Sequence, residues 1–190
     1  MENTSIISVE NISFSYNKEP FISDVSFNVN KGEIFGFLGP SGAGKSTLQK
    51  ILIGMLPNYK GSVKVFDKEV RNHKNDYYEN IGIDFEFPSL YEKLTARENM
   101  TFFGSLYKKN TYQQYDINEL LENIGLLNDT DKKVSEYSKG MKSRLNFAKA
   151  LLHKPEILFL DEPTSGLDPS NSRIMKNILL VKRKKEQQLF

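Results

Sequence analysis

The segment GPSGAGKST, Gly39 to Thr47, constrains the fold of this chain more than any other part of the sequence. It satisfies the pattern G-x-x-x-x-G-K-[ST], and it lies between a short apolar run, Ile34 to Gly39, and an amphipathic stretch, Lys45 to about Met55. A strand, a glycine-rich loop and a helix in this order create an anion site, because the loop amides and the helix N-terminus point at the same phosphate. The segment therefore predicts an α/β core that binds a nucleotide.

The residues of this loop have separate expected roles. Lys45 is expected to bridge the β- and γ-phosphates, and Ser46 to ligate Mg²⁺. The alternative is a glycine-rich turn with an incidental lysine, and the flanking strand and helix disfavour it. The predicted nucleotide-binding residues of the loop are Gly39, Pro40, Ser41, Gly42, Ala43, Gly44, Lys45, Ser46 and Thr47.

A second motif, ILFLDE, places two acids directly after four apolar residues, from Ile157 to Glu162. A strand that is apolar on both faces is typical of the centre of a parallel sheet, and ligands bind at the carboxyl end of such strands. Asp161 is expected to hold Mg²⁺, and Glu162 to orient and deprotonate the water that attacks the γ-phosphate. Alone, the two acids could simply cap the strand in solvent; beside the phosphate loop, they predict an ATPase with Mg²⁺ and with Glu162 and Lys45 as catalytic residues.

The rest of the chain alternates between strand-like and helix-like patterns. The remaining predicted elements are strands at residues 5–16, Phe21–Val29, Gly61–Asp67 and Ile81–Phe87, helices within Leu94–Leu127 and at Lys139–His153 and Ser170–Lys185, and a strand beginning in QQLF. The first two strands are expected to form a small antiparallel element.

With both motifs in this order, the chain resembles an ATP-binding cassette (ABC) ATPase over nearly its whole length. The resemblance implies one α/β domain over residues 1–190. It has a P-loop NTPase core with a mainly parallel sheet, an N-terminal antiparallel β subdomain, and an α-helical subdomain at about residues 88–152. It also implies that the last strands and helices of the family's domain are missing from these 190 residues.

The resemblance adds residues that spacing alone does not identify. Tyr16 corresponds to an aromatic side chain that stacks on adenine in the family. The segment YSKGM corresponds to the family motif usually written LSGGQ, where Ser138 and Gly140 would contact a nucleotide held by a second domain. Asp168 ends SGLD, which corresponds to a loop along the dimer interface. A tyrosine without function, an ordinary N-cap at Ser138 and a plain turn at SGLD remain alternatives.

Glu86 departs from the family pattern, which usually carries glutamine at this position. The resemblance implies a contact with Mg²⁺ and coupling to the membrane subunit. A carboxylate can bind the metal but adds negative charge beside phosphates. Two other groups are expected to be structural. His153 closes a helix end, and the basic run Lys182 to Lys185 lies in the last turn of a helix, with acidic lipid as its alternative partner.

Composition limits the possible partners. The net charge is +2, from 26 Lys and Arg against 24 Asp and Glu, so no nucleic-acid partner is expected. The chain has no cysteine and two histidines, too few for a zinc cluster. It has no apolar run long enough to span a membrane and no signal-peptide pattern. The chain is therefore expected in the cytoplasm, and the resemblance implies a position at the inner face of the membrane, bound to a permease.

These observations together predict the motor subunit of an ABC transporter, most similar to drug and antibiotic exporters. Its expected partners are a membrane-spanning permease subunit and a second ABC ATPase domain, in a homo- or heterodimer. Two alternatives stay open. One is a soluble ABC ATPase without a membrane partner. The other is a truncated domain with little hydrolysis, because the histidine that contacts the γ-phosphate in the family would follow Phe190.

Overall fold

The structure is a computed structural model that forms two compact units. The described residues are 5–73, 75–107, 114–164, 168–184 and 188–189. The two units are Met1–Tyr77 and Tyr78–Phe190.

The first unit contains a four-stranded antiparallel sheet with the order β2-β1-β3-β4. Its elements are β1 (Ser5–Phe14), β2 (Ile22–Asn30), α1 (Lys45–Leu52), β3 (Lys60–Val65), β4 (Lys68–Glu69), a 3₁₀ turn (Val70–Asn72) and α2 (Asn75–Tyr78), which ends at the boundary. Strand β1 pairs with both β2 and β3, and it buries Ile7, Val9, Ile12 and Phe14. The predicted N-terminal antiparallel subdomain is confirmed.

The apolar run Ile34–Gly39 differs from its prediction, because it forms no strand in this unit. Glycines lower the strand preference of the run, and its aromatic rings pack on β2 instead. The rings of Phe35 and Phe37 lie 5.0 and 5.5 Å from the ring of Phe27, measured between centroids. Leu38 is 99% exposed. The phosphate loop is therefore connected to the rest of the first unit by the aromatic packing that precedes it and by α1, which follows it.

The second unit contains a parallel three-stranded sheet with the order β5-β6-β7. Its strands are β5 (Ile81–Asp84), β6 (Ile157–Leu160) and β7 (Gln188–Leu189). The central strand β6 buries Ile157, Leu158 and Phe159, as its continuous apolar sequence predicted. Strand β7 lies where QQLF predicted a strand. Strand β5 ends at Asp84, three residues before its predicted end.

Four helices lie in the described part of the second unit after β5. They are α3 (Ala96–Ser105), α4 (Gln114–Asn123), α5 (Lys139–Leu151) and α6 (Pro169–Lys184), with 3₁₀ turns at Leu127–Asp129 and Val134–Glu136. Helix α3 begins with a capping box between Thr95 and Glu98. Helix α5 lies close against β5, since a Cβ at Gly82 would overlap the carbonyl oxygen of Ala150. The first turns of α5 lie at the carboxyl ends of β5 and β6, where Lys139 and Ser143 line a pocket together with Asp84 and Asp161. Among the described helices, none combines the length and apolarity that a membrane crossing requires.

Candidate functional site

The phosphate loop of the first unit has the backbone that its glycines predict. Gly42 and Gly44 have φ angles of 80° and 90°, a region that side-chain-bearing residues rarely adopt. The amide of Ala43 donates to the carbonyl oxygen of Pro40 at 3.2 Å, which closes a turn. Helix α1 starts directly after Gly44, and the amide of Leu48 donates to the Gly44 carbonyl at 2.9 Å. The loop therefore runs into a helix N-terminus, which is a site for an anion.

The Lys45 side chain lies over this loop. Its Nζ donates to the carbonyl oxygens of Gly39 and Pro40, both at 2.9 Å. Ser46 is exposed in the first turn of α1. A Cβ at Gly42 would meet no atom within 4 Å, so space is open beside the turn. An ammonium group, helix amides and open space fit the phosphates of a nucleotide.

Tyr16 lies beside the loop in the same unit. Its hydroxyl shares a 2.9 Å hydrogen bond with Oγ1 of Thr47. Its ring makes edge contacts with Phe14 and Phe21, at centroid distances of 4.8 and 5.4 Å. The side chain is nevertheless 55% exposed. Tyr16 is therefore held in place at its edge and hydroxyl while much of its surface is available to a stacking partner.

A pocket in the second unit brings together the three acids that the sequence predicted, Glu86, Asp161 and Glu162. We call it the acid pocket. Its lining residues are Asp84, Phe85, Glu86, Pro88, Lys139, Ser143, Asn146, Asp161, Glu162 and Pro163. The backbone places the acids there, because the Asp161 amide donates to the Asp84 carbonyl at 2.9 Å and extends the pairing of β5 with β6. Such strand ends are where ligands bind in α/β proteins.

Glu162 has a left-handed backbone, with φ at 49°. A non-glycine residue in this region costs on the order of 1 kcal/mol, and such residues cluster at functional sites. Glu162 is exposed, so its carboxylate is accessible from the pocket.

Asp84 is a pocket residue that the sequence analysis missed. It is 4% exposed, and its carboxylate accepts a hydrogen bond from Nδ2 of Asn146 at 2.5 Å. Burial raises the pKa of Asp84 to about 7, although the Asn146 hydrogen bond and the charge of Lys149 lower it. Burial also lowers the pKa of Lys149. The only signal in the sequence was a carboxylate inside the apolar run IGIDFEF.

Two residues predicted to face another domain have helix-capping roles in this chain. The hydroxyl oxygen of Ser138 accepts from the Met141 amide at 3.2 Å and caps α5, so the N-cap alternative describes its local contact. Gly140 lies in the first turn of α5. Asp168 accepts from the Asn171 amide at 3.0 Å and caps α6. The rest of SGLD, residues 165–167, lies outside the described residues.

The remaining predicted groups are structural or outside the described side chains. His153 is buried, donates from Nε2 to the Ile81 carbonyl at 2.8 Å, and stacks on Tyr107. A structural role was predicted for His153 at a helix end, but this hydrogen bond joins it to β5. The side chains of Lys182–Lys185 lie outside the described residues. Within the described part of the chain, no three His, Asp or Glu side chains are arranged to hold a metal by themselves. A magnesium ion would therefore need oxygen ligands from a nucleotide as well, which is its usual mode of binding.

Comparison with known proteins assigns the segment that contains both the phosphate loop and the acid pocket to one family. The profile of the family described as ABC transporter matches residues 22–165, more than half of the chain. The chain is 49% identical, over 98% of its length, to a fluoroquinolones export ATP-binding protein of Mycobacterium tuberculosis. It is 38% identical, over 93% of its length, to a bacitracin transport ATP-binding protein of Bacillus licheniformis. The chain spans 62% and 57% of the lengths of these two relatives.

Solved structures give the same similarity. The structure described as an ATP-binding subunit of an ABC transporter superposes with a TM-score of 0.85 at 26% identity, covering 97% of this chain and 78% of the other. An ATP-binding cassette in its ADP conformation superposes with a TM-score of 0.82 at 25% identity, covering 98% of this chain and 80% of the other.

Proposed function

This chain belongs to the ABC transporter family, and we propose that it is the ATP-binding and ATP-hydrolysing motor subunit of an exporter. The observation that carries the proposal is the phosphate loop, where Gly42 and Gly44 turn the backbone into the N-terminus of α1 beneath the Lys45 side chain. This arrangement suits a polyphosphate. The two export and transport relatives support the choice of an exporter.

In the proposal, the first unit binds ATP. The loop residues from Gly39 to Thr47 surround the phosphates, Lys45 neutralises the β- and γ-phosphates, and Tyr16 stacks on the adenine. The Tyr16 ring suits this role because Phe14, Phe21 and Thr47 hold it at its edges while its surface stays accessible. An aromatic stack contributes about 1–3 kcal/mol to binding of a base.

The acid pocket supplies the proposed catalytic carboxylates. Glu162 is the general base that orients and deprotonates the attacking water. Ser46, Asp161 and Glu86 are the proposed protein ligands of Mg²⁺, and all of them offer oxygen, the donor that Mg²⁺ prefers. The bound metal would neutralise charge on the phosphates. Lys139 also lines the acid pocket, and its positive charge offsets part of the added negative charge of Glu86.

A second ABC ATPase domain is the proposed partner across the nucleotide. Ser138, Gly140 and Asp168 would contribute to that interface, in a homo- or heterodimer. Ser138 already caps α5 within its own chain. The amide of Gly140 lies in the first turn of α5 and would be the group offered to a phosphate.

A membrane-spanning permease is the second proposed partner, which would place the chain at the inner face of the membrane. Tyr91, Phe102 and Leu106 are large apolar side chains that are exposed around α3. The rings of Tyr91 and Phe102 lie 5.0 Å apart, so these two form one aromatic patch. Contiguous exposed apolar groups are typical of protein interaction sites.

Nucleotide binding and hydrolysis by the purified chain and its variants test the proposal. Lys45→Ala should weaken ATP affinity at least tenfold, while Glu162→Gln should leave affinity within about threefold and abolish steady-state hydrolysis. Lys50→Ala is the matched control, because Lys50 lies in the last turn of the same helix. ATP affinity that is unchanged in Lys45→Ala would contradict the binding site, and hydrolysis that is unchanged in Glu162→Gln would contradict the general base.

A further inference from the structure

The segment that follows β5 carries Glu86 without belonging to a helix or strand. Two polar side chains of α5, Asn146 and Lys149, connect it to the neighbouring structure. Asn146 donates from Nδ2 to the Asp84 carboxylate and, at 3.4 Å, to the carbonyl oxygen of Phe85. The Oδ1 atom of Asn146 accepts from the Ser89 amide at 3.3 Å. One amide side chain on α5 thus contacts the backbone on both sides of Glu86.

Lys149 adds a contact from the next turn of α5. Its Nζ donates to the carbonyl oxygen of Ser89 at 3.0 Å and lies 4.7 Å from the centroid of the Phe103 ring. Ser89 is therefore held through both its amide and its carbonyl. We call Asp84, Asn146 and Lys149 the α5 clamp.

The Asp84–Asn146 pair of the clamp is almost completely removed from water, while Lys149 is partly buried. Asp84 is 4% and Asn146 is 2% exposed. A buried carboxylate is costly unless it is hydrogen-bonded, and a hydrogen bond in a low-dielectric interior is stronger and more directional than one in water. The ionised form of Asp84 determines which way the Asn146 amide faces, because an ionised carboxylate can only accept hydrogen bonds and therefore meets Nδ2. With Nδ2 facing Asp84, Oδ1 is presented to the Ser89 amide.

We infer that Asp84 is a positioning residue, which orients Asn146 so that the α5 clamp holds Glu86 in the acid pocket beside Asp161 and Glu162. The inference rests on the proposed function for its effect on hydrolysis. Its structural part stands by itself: without the Asp84–Asn146 pair, the segment from Phe85 to Ser89 gains mobility. The clamp also connects this segment to α5, the helix that Ser138 caps.

The absence of cysteine allows a direct test. Phe87 is 75% exposed in the middle of the segment, so Phe87→Cys provides a single thiol for a nitroxide spin label. Electron spin resonance of the labelled full chain then reports segment mobility, and ATP turnover is measured in parallel. Every variant is compared with the labelled Phe87→Cys parent.

Asn146→Asp places two buried carboxylates against each other and removes the Nδ2 donor. We expect a more mobile label, kcat lowered at least tenfold and KM for ATP within about twofold of the parent. Adding Asp84→Asn to Asn146→Asp restores a donor facing a carboxylate, and we expect this double variant to recover label mobility and kcat to within threefold. Asn118→Asp on α4 is the matched control, since its Oδ1 still accepts from Arg97 and it lies outside the clamp.

An immobile label in folded Asn146→Asp, or a double variant that fails to recover, overturns the inference. If Asn146→Asp does not fold, Asn146→Ala takes its place: it removes the Nδ2 donor, and also the acceptor of the Ser89 amide, without adding charge, and it should also mobilise the label. A parent that lacks hydrolysis would contradict the proposed function alone, because label mobility still decides the positioning role.

Discussion

One carboxylate in each unit lies at the centre of a polar cluster, and the two clusters differ in how many donors they provide. Glu69, on β4, accepts hydrogen bonds from the Tyr59 hydroxyl at 2.8 Å, the Ser62 hydroxyl at 2.7 Å, and the Val63 amide and Arg71 Nε, both at 3.2 Å. Asp84, at the end of β5, accepts one side-chain hydrogen bond from the described residues, that of Asn146.

Because of this difference, the pKa values of the two carboxylates shift in opposite directions. Burial opposes ionisation of Glu69, but its four donors outweigh burial, so its pKa is lowered. Burial of Asp84 outweighs its single donor, so its pKa is raised to about 7. A carboxylate with a full set of donors stabilises the fold at neutral pH, whereas one with few donors reduces stability. Perturbed groups of the second kind are concentrated at functional sites.

Removing the well-bonded carboxylate should change the stability of the protein most. Glu69→Ala leaves the hydroxyls of Tyr59 and Ser62 and the Val63 amide without their acceptor, so the free energy of unfolding should fall by about 3 kcal/mol at pH 7. Urea denaturation measures this change. Glu10→Ala, at an exposed glutamate on β1, should change stability by less than about 0.5 kcal/mol. Equal effects of the two variants would show that the Glu69 cluster contributes nothing specific.

Neutralising the poorly bonded carboxylate should have the opposite sign. Asp84→Asn keeps the acceptor for Asn146 and removes a buried charge, so the free energy of unfolding at pH 8 should rise by about 2 kcal/mol. Asp131→Asn, at an exposed aspartate of the same unit, should change it by less than about 0.5 kcal/mol. Loss of stability in Asp84→Asn at pH 8 would mean that the charged form of Asp84 is favoured by the fold.

The pH dependence of stability should separate the two clusters most sharply. Glu69 has a folded pKa below its unfolded value. Its contribution is therefore present at neutral pH and is lost as pH falls through the folded pKa, so Glu69→Gln and the wild type should converge in acid. Asp84 has a folded pKa above its unfolded value. Its cost therefore grows as pH rises from about 4 to about 7, and Asp84→Asn should gain on the wild type over that window. If the stability difference from the wild type changed with pH in the same way for both variants, the two carboxylates would not differ as described.

The smallest effect is expected at an exposed carboxylate. Glu92 pairs with Lys142 at 2.5 Å, but its side chain is 62% exposed. Water already solvates such a pair, so Glu92→Gln should change the free energy of unfolding by less than about 0.5 kcal/mol. Thermal unfolding at low and high salt measures this change. A loss near that of Glu69→Ala would show that donor number and burial do not govern these clusters.

The parts of the candidate site whose conformation depends only on residues of one short segment could be predicted from the sequence. The phosphate loop is one such case, since Gly42, Gly44 and Lys45 adopt the expected turn and helix start from local sequence alone. The acid pocket was predictable in part. Asp161 and Glu162 follow an apolar strand, and Glu86 was placed with them through the family resemblance.

Asp84 and Asn146 were not predictable, because their contact joins residues 62 positions apart. An aspartate in an apolar run indicates a buried carboxylate, but the periodicity of the sequence cannot identify its hydrogen-bond partner. The prediction of a strand at Ile34–Gly39 was wrong for a related reason. Its composition indicates a strand, but strand formation depends on a neighbouring strand rather than on the run itself, and here its rings pack on Phe27 instead.

The family, the phosphate-loop motif and the acids at the end of β6 could be identified from sequence, because each depends on residues that are close along the chain. Which carboxylate is stabilised and which is destabilised became clear from the folded structure. That outcome depends on burial and on donors from distant elements, which set the pKa of Glu69 and of Asp84 in opposite directions.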